Sequence, residues 1–292
     1  MFHRTHEEGS AMPAFDTPEP ITADIQIYLG QVRVHASDRA DTVVEVRPSD
    51  PSSEASVQVA ERIIVEFSGG RLLVKDPKPK ALRYLLPWRG SIDVTIELPA
   101  GSRVETQGAM ELVATGPLGQ TVLHSSYGDL RLDETGPLEI RASYGDVSVD
   151  RVIGPAEVTT STGAIRIETI DGPGTLRTST GGIALGEASG ALQLKTAHGD
   201  IAVDRAVADL TAKTAHGGIR VHAVASGTIH LETGYGKIGV GIAEGTSAWL
   251  DVHSKNGVVR NTLDPAEGPG TTDRVAEVHA NTNWGDIDIH RS

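Results

Sequence analysis

His198 and His216 stand 18 residues apart in matching phrases, Thr196-Ala197-His198-Gly199-Asp200-Ile201 and Thr214-Ala215-His216-Gly217-Gly218-Ile219. If the phrases stack, two imidazoles come within reach of one metal ion. A third ligand is lacking unless Asp200 turns inward, and the next phrase offers Tyr235. The pair therefore reads as a surface ladder, and no metal site is assigned. Asp129, Asp146, Asp200 and Asp286 each follow a turn glycine and raise the question of calcium. A calcium roll clusters its oxygens through Gly-Gly-x-Gly-x-Asp at a nine-residue period. The period here is twice that, so these acids read as turn residues that satisfy local backbone donors.

No catalytic constellation is present. There is no Gly-x-Ser-x-Gly, no His-Glu-x-x-His, and the Gly-x-Gly fragments lack the helix that phosphate binding requires. Cleavage of a polysaccharide on a parallel sheet would use acids or bases raised on neighbouring strands. The outward positions instead mix Arg141, Arg177, Lys195 and Lys213 with Glu139 and Glu157, which reads as a charge-balanced, solvated face. No catalytic residue and no cofactor is assigned. One segment suits contact with another molecule: Leu82, Tyr84, Leu85, Leu86 and Trp88 fall within seven residues, flanked by Lys78, Lys80, Arg83 and Arg89. A loop folded over the end of the domain is one reading; a surface for protein, self or other, is the reading adopted.

These residues must be positioned by a repeat. Gly128, Gly145, Gly163, Gly181, Gly199, Gly217 and Gly236 are spaced 17, 18, 18, 18, 18 and 19 residues apart. Each is preceded by Ser, Thr or Ala at short range and followed by an aliphatic residue. Looser copies surround Gly108, Gly257 and Gly285. Apolar residues alternate on both sides of the turn, as in Leu192/Leu194 before it and Ile201/Val203 after it, and period two over four or five residues means half-buried strands. A strand, a tight turn, a strand and a corner in about 18 residues make one coil of a β-solenoid. A meander of hairpins could use the same strands, but the columns match in chemistry from coil to coil. The residue before the turn glycine runs Tyr127, Tyr144, Thr162, Thr180, His198, His216, Tyr235, Asn256, Trp284, and Thr160, Thr178, Thr196, Thr214 and Thr233 predict a hydroxyl ladder.

The fold predicted is all-β: a parallel β-solenoid over residues 103–292, preceded by an antiparallel β cap over 20–102 that hides the edge of the first coils. Residues 1–19 read as a flexible arm, with 1–11 detachable because a second Met stands at Met12. With 26 basic and 39 acidic residues the net charge is −13, which argues against nucleic acid or anionic lipid as partner. Cysteine is absent, no apolar run reaches 18 residues, and no signal peptide is visible, so the expected location is cytoplasmic, without a membrane span.

With these motifs in view, the chain resembles a bacterial putative-adhesin family, domain of unknown function 4097, in its signal-less actinobacterial type. The likeness runs from about Met12 to Ser292. It is carried by Phe15-Asp16-Thr17-Pro18-Glu19-Pro20-Ile21, Val94-Thr95-Ile96-Glu97-Leu98-Pro99-Ala100-Gly101-Ser102, the Gly-Asp-Ile turns and Ala248-Trp249-Leu250-Asp251-Val252-His253. The resemblance implies a solenoid-like β fold and brings no catalytic residues. The function expected is that of a non-catalytic scaffold or binding protein. The alternative is a solenoid that binds or cleaves glycans, so a glycan stands beside protein as candidate partner.

Overall fold

Strict alternation of aliphatic and polar residues leaves this chain few choices: its strands must bury one face, and two stacked sheets do that with the least surface. The computed structural model describes residues 12–77, 90–263 and 274–292. They fall into two compact units, Met1–Thr135 and Gly136–Ser292. Both are parallel β-solenoids, with an aliphatic core between two sheets.

The first unit contains β1 (Ala14–Asp16), β2 (Thr22–Gln26), β3 (Gly30–Ser37), β4 (Asp41–Pro48), α1 (Glu54–Arg62), β5 (Ile64–Ser68), β6 (Arg71–Lys75), β7 (Ile92–Pro99), β8 (Arg103–Gly108), β9 (Glu111–Leu118), β10 (Thr121–Ser125) and β11 (Leu130–Thr135). One sheet has the order β1-β4-β7-β3-β9-β11 and the other β10-β8-β2-β6-β5. The antiparallel pairs are β1–β4, β4–β7 and β5–β6. The antiparallel cap is thus confined to β1, β4 and β5, while β2, β3, β6 and β7 already form parallel coils. Ala14–Asp16, placed by sequence in the arm, is instead the outer strand against β4, and Thr17 bonds Thr42 through buried hydroxyls at 2.8 Å. Helix α1 is a second departure. Ser53 caps it by accepting from the Ser56 N–H, Val59 is buried, and Arg62 pairs with Asp76 at 3.2 Å.

The second unit contains β12 (Leu138–Tyr144), β13 (Val147–Val152), β14 (Ala156–Thr162), β15 (Ile165–Ile170), β16 (Gly174–Thr180), β17 (Ile183–Ala188), β18 (Leu192–His198), β19 (Ile201–Ala206), β20 (Leu210–His216), β21 (Ile219–Val224), β22 (Gly227–Tyr235), β23 (Ile238–Ile242), β24 (Thr246–Ser254), β25 (Val259–Asn261), β26 (Arg274–Trp284) and β27 (Ile287–Arg291). Up to β23 each coil advances one slot, so Ile165, Ile183, Ile201, Ile219 and Ile238 form one buried column and Ile167, Leu185, Val203, Val221 and Val240 the next. Then the order changes. The last coil, β26 and β27, enters between β22/β23 and β24/β25, and all its pairings are parallel. The coil that comes last in the chain is therefore not the outermost one.

Turn glycines set the distance between coils. Gly181 has φ +142°, and a Cβ there would lie 2.1 Å from the Gly163 carbonyl oxygen of the preceding coil. The threonine column acts on the same turns. Its hydroxyls do not bond one another as a ladder would. Thr178, Thr196, Thr214 and Thr233 donate instead to the carbonyls of Gly163, Gly181, Gly199 and Gly217, at 2.8–3.1 Å. Each buried hydroxyl is thereby satisfied, and each pins a turn to the coil before it.

Candidate functional site

In the second unit, alternate residues of β14, β16, β18, β20, β22, β26 and β24 point away from the core, and parallel pairing aligns them in rows. One row runs Thr159, Arg177, Lys195, Lys213, Glu232, Asn281, His253. Beside it lie Ala197, Ala215 and Gly234, whose small size leaves the sheet surface low. The result is a groove of about 430 Å³, with Lys195, Lys213 and Glu232 on one side and Asn281, Asn283, His253 and Lys255 toward the outer coil. A neighbouring hollow of about 310 Å³ shares Lys213, Glu232 and Asn281 and reaches His230 and His279.

The charges in that row are unevenly matched. Lys213 pairs with Glu232 at 2.7 Å. Arg177 stands opposite Lys195, and Lys195 opposite Lys213, with no acid within ion-pair distance of Arg177 or Lys195 among the described residues. Glu139 and Glu157 do sit opposite each other, but in a different row, and Glu139 pairs with Arg141 at 2.9 Å. The face is therefore not charge-balanced where the groove lies. Counting charges along the chain hid this, because balance on a sheet is set by cross-strand neighbours.

At the turn edge of this face the rings stack as the repeat requires. His198 and His216 lie 5.1 Å apart at 10°, His216 and Tyr235 5.0 Å at 8°, and Tyr235 and Trp284 6.4 Å at 4°. The column differs from the sequence order at its end: Trp284 follows Tyr235 directly and Asn256 lies beyond, because β26 is inserted. A second group gathers near the outer coil. His279 stacks on His230 at 4.6 Å, meets Trp249 edge-on at 5.4 Å, and touches Glu277 and Asp251 at 2.9 and 3.3 Å. Among the described residues, no three His, Asp or Glu side chains are grouped as a metal would need.

Three of the turn aspartates bond to a neighbouring coil, while Asp129 meets Arg131 two residues on at 3.4 Å. Asp146 accepts from the Ala164 N–H at 2.8 Å and Asp200 from the Gly218 N–H at 2.7 Å. The acceptor turns on the following coils, Gly163-Ala164 and Gly217-Gly218, carry no acid of their own. Asp286 accepts likewise from Val258 at 3.0 Å, and that bond, aided by Arg260, holds its carboxyl below the usual carboxylate range. Asp200 is thus engaged by the Gly218 N–H of the next coil. The cluster Leu82, Tyr84, Leu85, Leu86 and Trp88 lies outside the described residues.

The profile of a family described as Toastrack DUF4097 matches residues 23–292. Similar solved structures include a putative adhesin of Bacteroides fragilis, 14% identical, covering 97% of this chain and 98% of that one at a TM-score of 0.43. Another is a putative lipid binding protein of Parabacteroides distasonis, 12% identical, covering 96% of both chains at 0.44. A third, a putative cell adhesion protein of Clostridium sporogenes, is 12% identical and covers 97% and 99% at 0.22. Among curated proteins none matches the chain.

Proposed function

The chain belongs to the Toastrack DUF4097 family, and from that premise we propose a non-catalytic solenoid scaffold that takes its ligand on the outer face of β18, β20, β22 and β26. The observation that carries this reading is the groove itself, about 430 Å³, floored by Ala197, Ala215 and Gly234 and walled by charged and amide side chains. A concave surface with convergent polar groups suits binding. Its residues, Lys255 apart, are held by strands rather than loops, so little ordering is needed when a ligand arrives.

The test is to fill the groove. Ala215→Trp adds a bulky side chain to the outward row and leaves the aliphatic columns untouched. Immobilised glycans and peptides would be probed with wild type and variant of equal melting temperature. Ligands held by wild type and lost by the variant support the reading. Ligands held equally by both place the binding surface elsewhere. Conversion of a retained glycan into shorter products would replace the scaffold by an enzyme.

A further inference from the structure

Three cations in successive cross-strand positions are an unfavourable arrangement. Arg177, Lys195 and Lys213 face one another at a strand spacing of about 4.8 Å, and like charges directly opposite destabilise a sheet. Only Lys213 has an acid beside it. The protein as a whole carries a net charge of −13, so acids to neutralise this row are plentiful elsewhere in the chain. Lys255 and His253 add positive or protonatable groups on the far side of the same groove. Among the described residues Arg177 and Lys195 have no acid within ion-pair distance, and an anion lying along the row would supply one.

The geometry also describes the anion. The cations recur once per coil along a straight row, so the complementary ligand is a chain with negative charges at a similar spacing. A linear uronate polymer carries one carboxylate on each successive sugar and so presents negative charge as a regular series. The floor of Ala197, Ala215 and Gly234 lets flat sugar rings approach the sheet, and Asn281 and Asn283 offer amides to hydroxyls. Single-stranded nucleic acid fits less well. Its bases need free aromatic faces, whereas His198, His216, Tyr235 and Trp284 are stacked face to face and present mainly their edges. Resting on the reading above, we propose that the groove binds a linear acidic polysaccharide bearing carboxylates on successive sugars, with Lys195 and Lys213 in the groove and Arg177 one strand beyond it in the same row as the carboxylate contacts.

Calorimetric titration of the full chain with polygalacturonate, its methyl-esterified form, oligothymidylate and inorganic polyphosphate tests this. Polygalacturonate should bind and the ester should not. Affinity should fall as salt rises from about 50 to about 300 mM, because exposed charges are screened. Lys195→Gln and Lys213→Gln should each weaken binding by about fivefold, the upper end for exposed ion pairs. Arg166→Gln, outward on β15 in the other sheet, should change nothing. Equal binding of the ester, a preference for oligothymidylate or polyphosphate, or no binding of polygalacturonate would overturn the proposal. Ala215→Trp separates the two readings. If it abolishes binding of a neutral glycan, the groove stands and the acidic ligand falls. If polygalacturonate binds Ala215→Trp as well as wild type, the groove itself is refuted.

Discussion

Each unit contains a coil that lies out of chain order, and they resolve its consequences differently. In the first, the early coil β2/β3 sits between β6/β7 and β8/β9, and the chain then closes with antiparallel strands: β4 and β1 beyond β7, and β5 beyond β6. In the second, the late coil β26/β27 sits between β22/β23 and β24/β25, and the outer strands remain parallel. Among the described residues β24 pairs only with β26, and β25, three residues long, only with β27. Val258 and Val259 are 52% and 39% exposed there, whereas Val44 in β4 is fully buried. An antiparallel strand protects a coil by covering it; an inserted coil protects it only by being present. The outer coil of the second unit should therefore be conditional on β26 and β27.

Truncation tests this dependence most severely. A chain ending at residue 273 lacks β26 and β27 and loses the burial of Val278, Ile287 and Ile289, among others. The expected loss is on the order of 5 kcal/mol, at roughly 1.5–3 kcal/mol per large aliphatic side chain. A chain ending at 245 removes β24 and β25 as well, leaving β22 and β23 as an ordinary coil edge. It should melt at or above the temperature of the longer truncation, despite being shorter. Protected amides in β24 of the chain ending at 273, measured by hydrogen exchange, would refute the dependence.

Core substitutions give the next largest effect. Ile201→Asp places an unpaired carboxylate in a buried column bounded by Ile183 and Ile219 and should cost about 4 kcal/mol or more. Leu250→Asp in the half-buried outer coil should cost less than half as much, and Arg166→Asp, facing solvent, less than about 0.5 kcal/mol. Equal denaturation midpoints for Ile201→Asp and Leu250→Asp would mean the outer coil is as well enclosed as the central ones.

Glycines separate the regions more finely. Gly199→Ala drives a methyl to 2.1 Å from the Gly181 oxygen of the coil before it and should cost about 3 kcal/mol. Gly70→Ala, in the β5–β6 hairpin with φ +76° and nothing within 4 Å of its Cβ, carries only the left-handed penalty of about 1 kcal/mol. The ratio of the two, from urea melts, measures how far coil spacing rather than local conformation selects glycine.

The smallest effect depends on pH. Asp286 has a carboxyl pKa below the ordinary 3.8, caused first by the Val258 N–H, a bond that ties the inserted coil to the outer one. A group with a lowered folded pKa stabilises above the ordinary value and loses that contribution as pH falls through the folded one. Asp286→Ala should thus melt below wild type at neutral pH, and the gap should close below pH 3.8. A gap independent of pH would assign the residue's role to packing.

Sequence revealed the repeat, the inward columns and the turn glycines, because each depends on periodicity alone. The stacked His198 and His216 followed from the same count. Slot order did not, since a coil carries the same inward pattern whether it is added at the end or inserted one place earlier. Only the ring column held a hint, with Trp284 better matched to Tyr235 than Asn256 is. Helix α1 was hidden by its nine residues, too few for a clear helical stripe, although Ser53 before Glu54 was a usable start signal. The groove's residues were visible as Lys195 and Lys213, yet Glu139 and Glu157 seemed to balance them. Separate rows keep those acids away, and only register reveals rows.

The insertion of β26 and β27 also orders events during synthesis. Coils β12 to β23 can add one at a time as they leave the ribosome, each finding a finished neighbour. Strands β24 and β25 emerge next, and the strands they pair with have not yet been made. At roughly 5–20 residues per second the wait is on the order of seconds. During it Leu250, Val252 and Val259 have no paired coil to shelter them, and Trp249 is exposed even in the finished fold. This interval is when the nascent chain most needs a chaperone, or is most liable to pair with another nascent chain emerging beside it.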